Sequence, residues 1–399
     1  MVFASVRRLF SAGYRVFFLA AGLFAAISMA LWLGWFAAQV YGLNTDPFQH
    51  MTAPYMWHAH EMIFGYGSAA IAGFLLTAAP NWTNSRGAPA RFFVVASAIW
   101  FLGRLVIWAA PGLPAGVVAL VDLAFVPIIA VSIAAMLLKR FNPRQFLIVV
   151  VIALFWVGNV FMHLEWLGLV EQSADAGIRI GLLALAALIQ ILGGRVTPAF
   201  TRNAMVRTGR EDNLPRTPMP LAVVSILAAI LAVLAYILGL PEYVVGALCL
   251  IAGVTGLARL ALWQGLWTRG QPILWTLHLS YGLNGLGLIA LGAAFLGLGS
   301  EVGALHLLGI GGVAGMTISV MSRAAIGHSG RPLIAPAPVA LAYALVPVAA
   351  AVRYAATVLP GLYESAILVS GGLWLLAFCL YVVGLWRVFF GERYRENAA

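Results

Sequence analysis

Of the seven histidines in this chain, all but His50 fall in or at the ends of long apolar runs: His58, His60, His163, His278, His306 and His328. Imidazole binds iron, copper and zinc, so histidines at those positions point to metal. The plainer alternative is a hydrogen-bonding residue in a helix bundle. The densest piece is Met56-Trp-His-Ala-His-Glu-Met62. Residues two apart lie about 200° apart around an ideal helix, so His58 and His60 share one ion only if the chain there is extended. His58 and Glu61, three apart, share a face once a helix begins. Met51, Met56 and Met62 add thioether sulfur, which with imidazole favours copper over calcium or magnesium. A belt of Met, Trp and His at a membrane surface would have the same composition.

Charges inside the apolar runs are the second signal, because an ionisable side chain in a span costs several kcal/mol unless it is paired or faces a polar cavity. Counted by depth, one layer in the outer third of the runs holds Glu61, Arg104, Asp122, His163, Glu165, Arg179, His306 and Arg353, with His58 and His60 just above it. Glu61, Asp122 and Glu165 balance Arg104, Arg179 and Arg353, as in a shared interior. That interior is either a functional site or a set of buried ion pairs that fix helix packing. Arg259 lies elsewhere in a span. A second, inner layer places His278 and His328 near the level of Arg195, Arg323 and Arg331. Histidine is a common axial ligand of haem and arginine binds carboxylates such as propionates, so this layer is either a b-type haem site or a plain basic rim.

The elements that must carry these residues follow from composition. The chain has 399 residues, 63% hydrophobic and 9% charged, against about 25% charged for a soluble domain. At about 20 residues per membrane-spanning helix, hydropathy predicts an all-α polytopic membrane protein of twelve transmembrane helices. They lie near 15–41, 56–79, 92–110, 114–138, 145–168, 175–194, 219–240, 243–265, 272–297, 301–322, 335–357 and 365–388. The first run is too long for the core of a cleaved signal peptide and reads as a retained span. With that count, every Lys and Arg except Arg104, Arg179, Arg259 and Arg353 falls on one side of the membrane, while Asp46, Glu171, Asp175, Glu242 and Glu364 mark the other. Both termini are therefore expected to be cytoplasmic. The net charge of +10 then encodes topology, and nucleic acid is not an expected partner.

One integral membrane domain over 1–399 is expected, with candidate six-helix halves 1–194 and 219–399 joined by a cytoplasmic loop 195–218. Pro198 is expected to end the sixth helix and Pro80 the second, since proline lacks a backbone donor. His60-Glu-Met-Ile-Phe-Gly65 and His306-Leu-Leu-Gly-Ile-Gly311 share their His and Gly, too little to establish a repeat. Cys249 and Cys379 sit in apolar runs and no CxxCH occurs, so neither a disulfide framework nor covalent haem is expected.

The segment His58-Ala-His-Glu-Met-Ile-Phe-Gly65, with Ala72-Gly-Phe-Leu-Leu-Thr-Ala-Ala-Pro-Asn-Trp-Thr83, resembles the opening signature of the NnrS family of bacterial membrane proteins. Gly194-Arg-Val-Thr-Pro-Ala-Phe-Thr-Arg-Asn203, Trp275-Thr-Leu-His278 and Gly327-His-Ser-Gly-Arg331 are similar to its other landmarks. The resemblance covers nearly the whole chain. It implies a haem- and copper-containing protein of the bacterial inner membrane, tied to nitric oxide metabolism and defence against nitrosative stress, with an unidentified electron donor. In that frame the haem is b-type and non-covalent, with His278 and His328 as its ligands and Arg195, Arg323 and Arg331 near it. Copper is assigned to His58, His60, Glu61, His163 and His306. The competing reading is a twelve-helix secondary transporter, which would use the polar layer as a solute path. The topology makes a direct prediction: fluorescent protein fused after residue 399 should fluoresce, and alkaline phosphatase fused there should be inactive. The opposite pair of results contradicts cytoplasmic termini.

Overall fold

With no water to satisfy peptide groups in a bilayer, apolar runs of this length must fold as helices. A computed structural model describes residues 2–43, 48 and 53–394; Asp46, His50, Met51 and Arg395 lie outside the described residues. Twelve helices are long and apolar enough to cross a membrane: Gly13–Tyr41 (α1), Pro54–Thr83 (α2), Ala90–Trp108 (α3), Ala115–Arg140 (α4), Pro143–Trp166 (α5), Ser173–Arg207 (α6), Met219–Ile237 (α7), Glu242–Ala261 (α8), Pro272–Phe295 (α9), Glu301–His328 (α10), Ala337–Val358 (α11) and Tyr363–Phe390 (α12). The protein is thus an all-α, multi-pass membrane protein, with no strand among the described residues. Side chains such as Leu120, Val131 and Val383 stand exposed on the helices, as suits contact with lipid.

The chain forms two compact units. One comprises Met1–Gly181, Val320–Val339 and Leu375–Ala399, the other Leu182–Ser319 and Ala340–Trp374. In the first, α5 and α6 touch backbone to backbone: a Cβ at Gly158 would stand 2.8 Å from Gly181 N and 2.9 Å from Gly177 O. The same unit ties the start of α1 to the end of α12, where Arg15 donates to Phe389 O at 2.7 Å and Gly391 O at 2.8 Å. In the second, α8 and α9 meet in the same way at Gly253 and Gly285, where an added Cβ at Gly253 would stand 2.6 Å from Gly285 O. Small residues permit such close approach between helices in lipid.

Three of the helices contain a stretch of wider π-helical turn: Glu61–Tyr66 in α2, Ile189–Gly193 in α6 and Leu307–Ala314 in α10. These are also the most enclosed spans, with 72%, 72% and 67% of their most apolar window buried, against 33% for α3. The π turn begins directly after His60 in α2 and directly after His306 in α10. The weak sequence match between those two segments therefore coincides with a shared local backbone.

Two expected helix ends are corrected. Pro198 does not end α6, which continues to Arg207, and Pro80 lies within α2, which ends only where Asn84 turns left-handed at φ 49°. Proline removes the donor for the carbonyl four residues earlier, which for Pro198 is Gly194 O. Arg259 Nη2 donates to that oxygen at 3.2 Å, so the break is mended from another helix. Pro127 of α4 is treated alike: the carbonyl it leaves, Leu123 O, accepts from Trp156 Nε1 at 3.0 Å.

The glycine contact gives a prediction. Gly158→Ala must push α5 off α6 and should cost about 1–3 kcal/mol, seen as a lower melting temperature in detergent. Gly116→Ala, where nothing lies within 4 Å of the added carbon, should leave it unchanged.

Candidate functional site

The first unit gathers six polar side chains from four helices. His60 and Glu61 come from the α-to-π junction of α2, Arg104 from α3, Asp122 from α4, and Asn159 and His163 from one face of α5. None is more than 8% exposed. The π turn also turns Gly65 O outward to accept from Trp100 Nε1 of α3 at 2.9 Å, which joins α2 and α3 beside the cluster.

Arg104 bridges the two carboxylates. Its Nη1 donates to Glu61 Oε1 at 2.5 Å, and its Nη2 donates to Asp122 Oδ1. The free oxygen of Asp122, Oδ2, accepts from Asn159 Nδ2 at 2.8 Å, from His163 Nε2 at 2.9 Å and from His60 Nε2 at 3.2 Å. His60 Nε2 also reaches Asn159 Oδ1 at 2.9 Å, and its Nδ1 meets Glu61 Oε1 at 2.8 Å. Both ring nitrogens of His60 thus face acceptor oxygens, and both can donate, while Glu61 Oε2 and Arg104 Nε stay buried without a hydrogen-bond partner. Two cations then balance two carboxylates, which is what a group of charges needs to persist out of water.

The same atoms fit a metal ion. One nitrogen each of His60 and His163 and one oxygen of Asp122 lie within 4.8 Å of one another. An ion at about 2.0–2.2 Å from each would replace the hydrogens between them. Two imidazoles and a carboxylate suit copper, zinc or iron. Glu61 on His60 Nδ1 is the outer partner that fixes the tautomer and ring plane of a metal-binding histidine.

The other residues singled out by sequence have no hydrogen bond to this cluster among those described. His58 is already helical and stacks on Trp32, ring centroids 4.4 Å apart, so the helix turns it away from His60. Glu165 accepts from Ala174 N at 2.7 Å at the start of α6, and Arg179 donates to Asp175 O at 2.9 Å. Met56 and Met62 are half-buried. His306 and Arg353 belong to the second unit. His306 Nδ1 pairs with Val302 O at 2.8 Å, and Arg353 Nη1 is buried without a hydrogen-bond partner.

In the inner layer, His278 and Arg195 belong to the second unit, and His328, Arg323 and Arg331 to the first. His278 Nε2 pairs with Thr201 Oγ1 at 2.8 Å, while its Nδ1 is buried without a hydrogen-bond partner. His328 is exposed and stacks on Tyr14, centroids 5.8 Å apart. Arg331 Nη2 donates to Arg387 O at 3.1 Å, Arg323 is buried and Arg195 is exposed.

The NnrS family model matches residues 8–393. The chain belongs to the NnrS family. Comparison with curated proteins gives no match. The matched range contains both polar layers, so every candidate residue lies within the family's domain. Asn159, missed in the sequence reading, had a usable signal: an amide in an apolar span, one turn before His163 on the same helical face.

Breaking the bridge should be costly. Arg104→Met leaves two buried carboxylates with His60 as their one cationic partner and should destabilise the protein by about 3–5 kcal/mol. Adding Glu61→Gln should restore part of the loss in thermal unfolding, whereas adding Glu165→Gln, whose carboxylate accepts from Ala174 N, should restore nothing.

Proposed function

We propose that this NnrS-family protein resides in the bacterial inner membrane, binds copper and a non-covalent b-type haem, and acts in nitric oxide metabolism or nitrosative-stress defence. The observation that carries the copper part is the convergence of His60 Nε2 and His163 Nε2 on Asp122 Oδ2. These three residues would hold the ion, with Glu61 orienting His60 and Arg104 holding both carboxylates in place. Copper bound there would supply one-electron redox chemistry and a centre able to bind nitric oxide. Enclosure of the site excludes bulk water, which suits a small uncharged substrate arriving through the bilayer.

The haem part rests on the family resemblance and on His278. Thr201 holds one ring nitrogen and leaves the other without a hydrogen bond, as a ligand nitrogen would be. His278 is proposed as an axial ligand of that haem, with Arg195 of the same unit for a propionate. The transporter reading keeps one specific support: the π turns of α2, α6 and α10 interrupt the most buried helices, as discontinuous helices do at transport sites.

Metal analysis with an absorption spectrum of the purified protein separates these readings. The expected result is copper lost in His163→Gln with iron unchanged, and a reduced Soret band lost in His278→Ala with copper unchanged. Copper content unchanged in His163→Gln overturns the copper assignment. A colourless, metal-free protein that binds a solute favours the transporter.

A further inference from the structure

The first unit gives its buried Arg104 two carboxylates, whereas the second unit gives Arg259 none. Arg259, on α8, is 2% exposed. Its Nη1 donates to Ser225 Oγ at 2.7 Å and Gln190 O at 3.1 Å, and its Nη2 to Gly194 O at 3.2 Å. All three acceptors are neutral. Its guanidinium carbon lies 5.5 Å from the ring centroid of Trp263 and 5.8 Å from that of Tyr281. Among the described residues no Asp or Glu forms an ion pair with it.

Mending a broken helix does not need a charge. Trp156 does it at Leu123 O with a neutral indole N–H. A guanidinium at the same task brings a full charge into a low-dielectric interior, which is costly when unpaired. Cation–π contact with the two rings returns only part of that cost. The charge at Arg259 therefore exceeds what its visible partners require.

Two donors beside it are also unused. Arg259 Nε is buried without a hydrogen-bond partner, and so is Oγ1 of Thr197, a residue with no exposed surface. Thr197 lies one turn along α6 from Gly194, whose carbonyl Arg259 holds, and so on the same face. Gly194 itself permits the approach, since a Cβ there would stand 2.9 Å from Arg259 Nη1. A cation lacking a counter-charge, with an N–H and an O–H left over on adjoining helices, is the donor set of an anion site.

We propose that Arg259 and Thr197 seat a small monovalent anion, of halide or nitrite size, in the second unit. One negative charge neutralises the guanidinium, and the fully buried rings of Trp263 and Tyr281 stand beside it. This site is independent of the copper and haem assignments.

The test uses the purified full-length protein in gluconate, a bulky anion, titrated with sodium bromide at constant ionic strength. A ligand bound only by the folded state raises the melting temperature saturably. The expected result is such a rise, with about one bromide retained per chain in equilibrium dialysis. Thr197→Val removes one hydrogen bond to a charged group and should weaken binding about tenfold. Arg259→Gln should abolish it; if that variant does not fold, Thr197→Val decides. No saturable rise in the native protein, or unchanged bromide affinity in Thr197→Val, overturns the proposal. Copper and iron measured on the same samples keep this outcome separate from the metal reading, because bromide binding is expected whatever the metal content.

Discussion

A guanidinium buried among membrane-spanning helices can stay charged only if its surroundings supply what water would have supplied, and the arrangement around Arg104 is built to that requirement. Glu61 and Asp122 lie on its two sides from α2 and α4. Once the bridge exists, the outward oxygen of Asp122 is fixed in space. Asn159, His163 and His60 then converge on that oxygen. The candidate metal centre is thus a consequence of how one charge is neutralised: remove Arg104 and the carboxylate that collects the two imidazoles loses its anchor.

Helix irregularities serve the same end. The π turn after His60 widens α2 where Glu61 and Gly65 must meet α3, and Trp100 takes the carbonyl of Gly65. Pro127 frees Leu123 O one residue from Asp122, and Trp156 of α5 takes it. Each irregularity exposes a backbone oxygen, and each oxygen is claimed by a side chain from a neighbouring helix. In lipid these claims are strong, since an unsatisfied carbonyl there costs several kcal/mol. They set the positions of α2, α3, α4 and α5, from which the site residues project.

Twelve spans were legible because apolar runs of this length have one folding solution in a bilayer. His60, Glu61, Arg104, Asp122 and His163 were legible as candidates because ionisable residues are expensive there. Their partners were not. Glu165 carries the same charge as Glu61 but accepts from a local backbone group, Ala174 N, a difference that appears only once helix ends are placed. His58 and His60 were separable only after the helix was seen to begin at Pro54. Pro198 reads as a helix stop in one dimension, and only Arg259, far along the chain, explains why α6 continues. Family membership adds that residues 8–393 form one recognised unit of sequence, consistent with both layers belonging to one protein design.

The proposal that the Arg104-anchored cluster is a metal centre predicts a particular set of ligand atoms, and X-ray absorption at the copper edge reads those atoms directly. Protein loaded with one equivalent of copper should show two imidazole nitrogens and carboxylate oxygen around the ion, with one imidazole contribution lost in His163→Gln. A first shell containing thioether sulfur, or an imidazole count unchanged in His163→Gln, would place the metal elsewhere and contradict this centre.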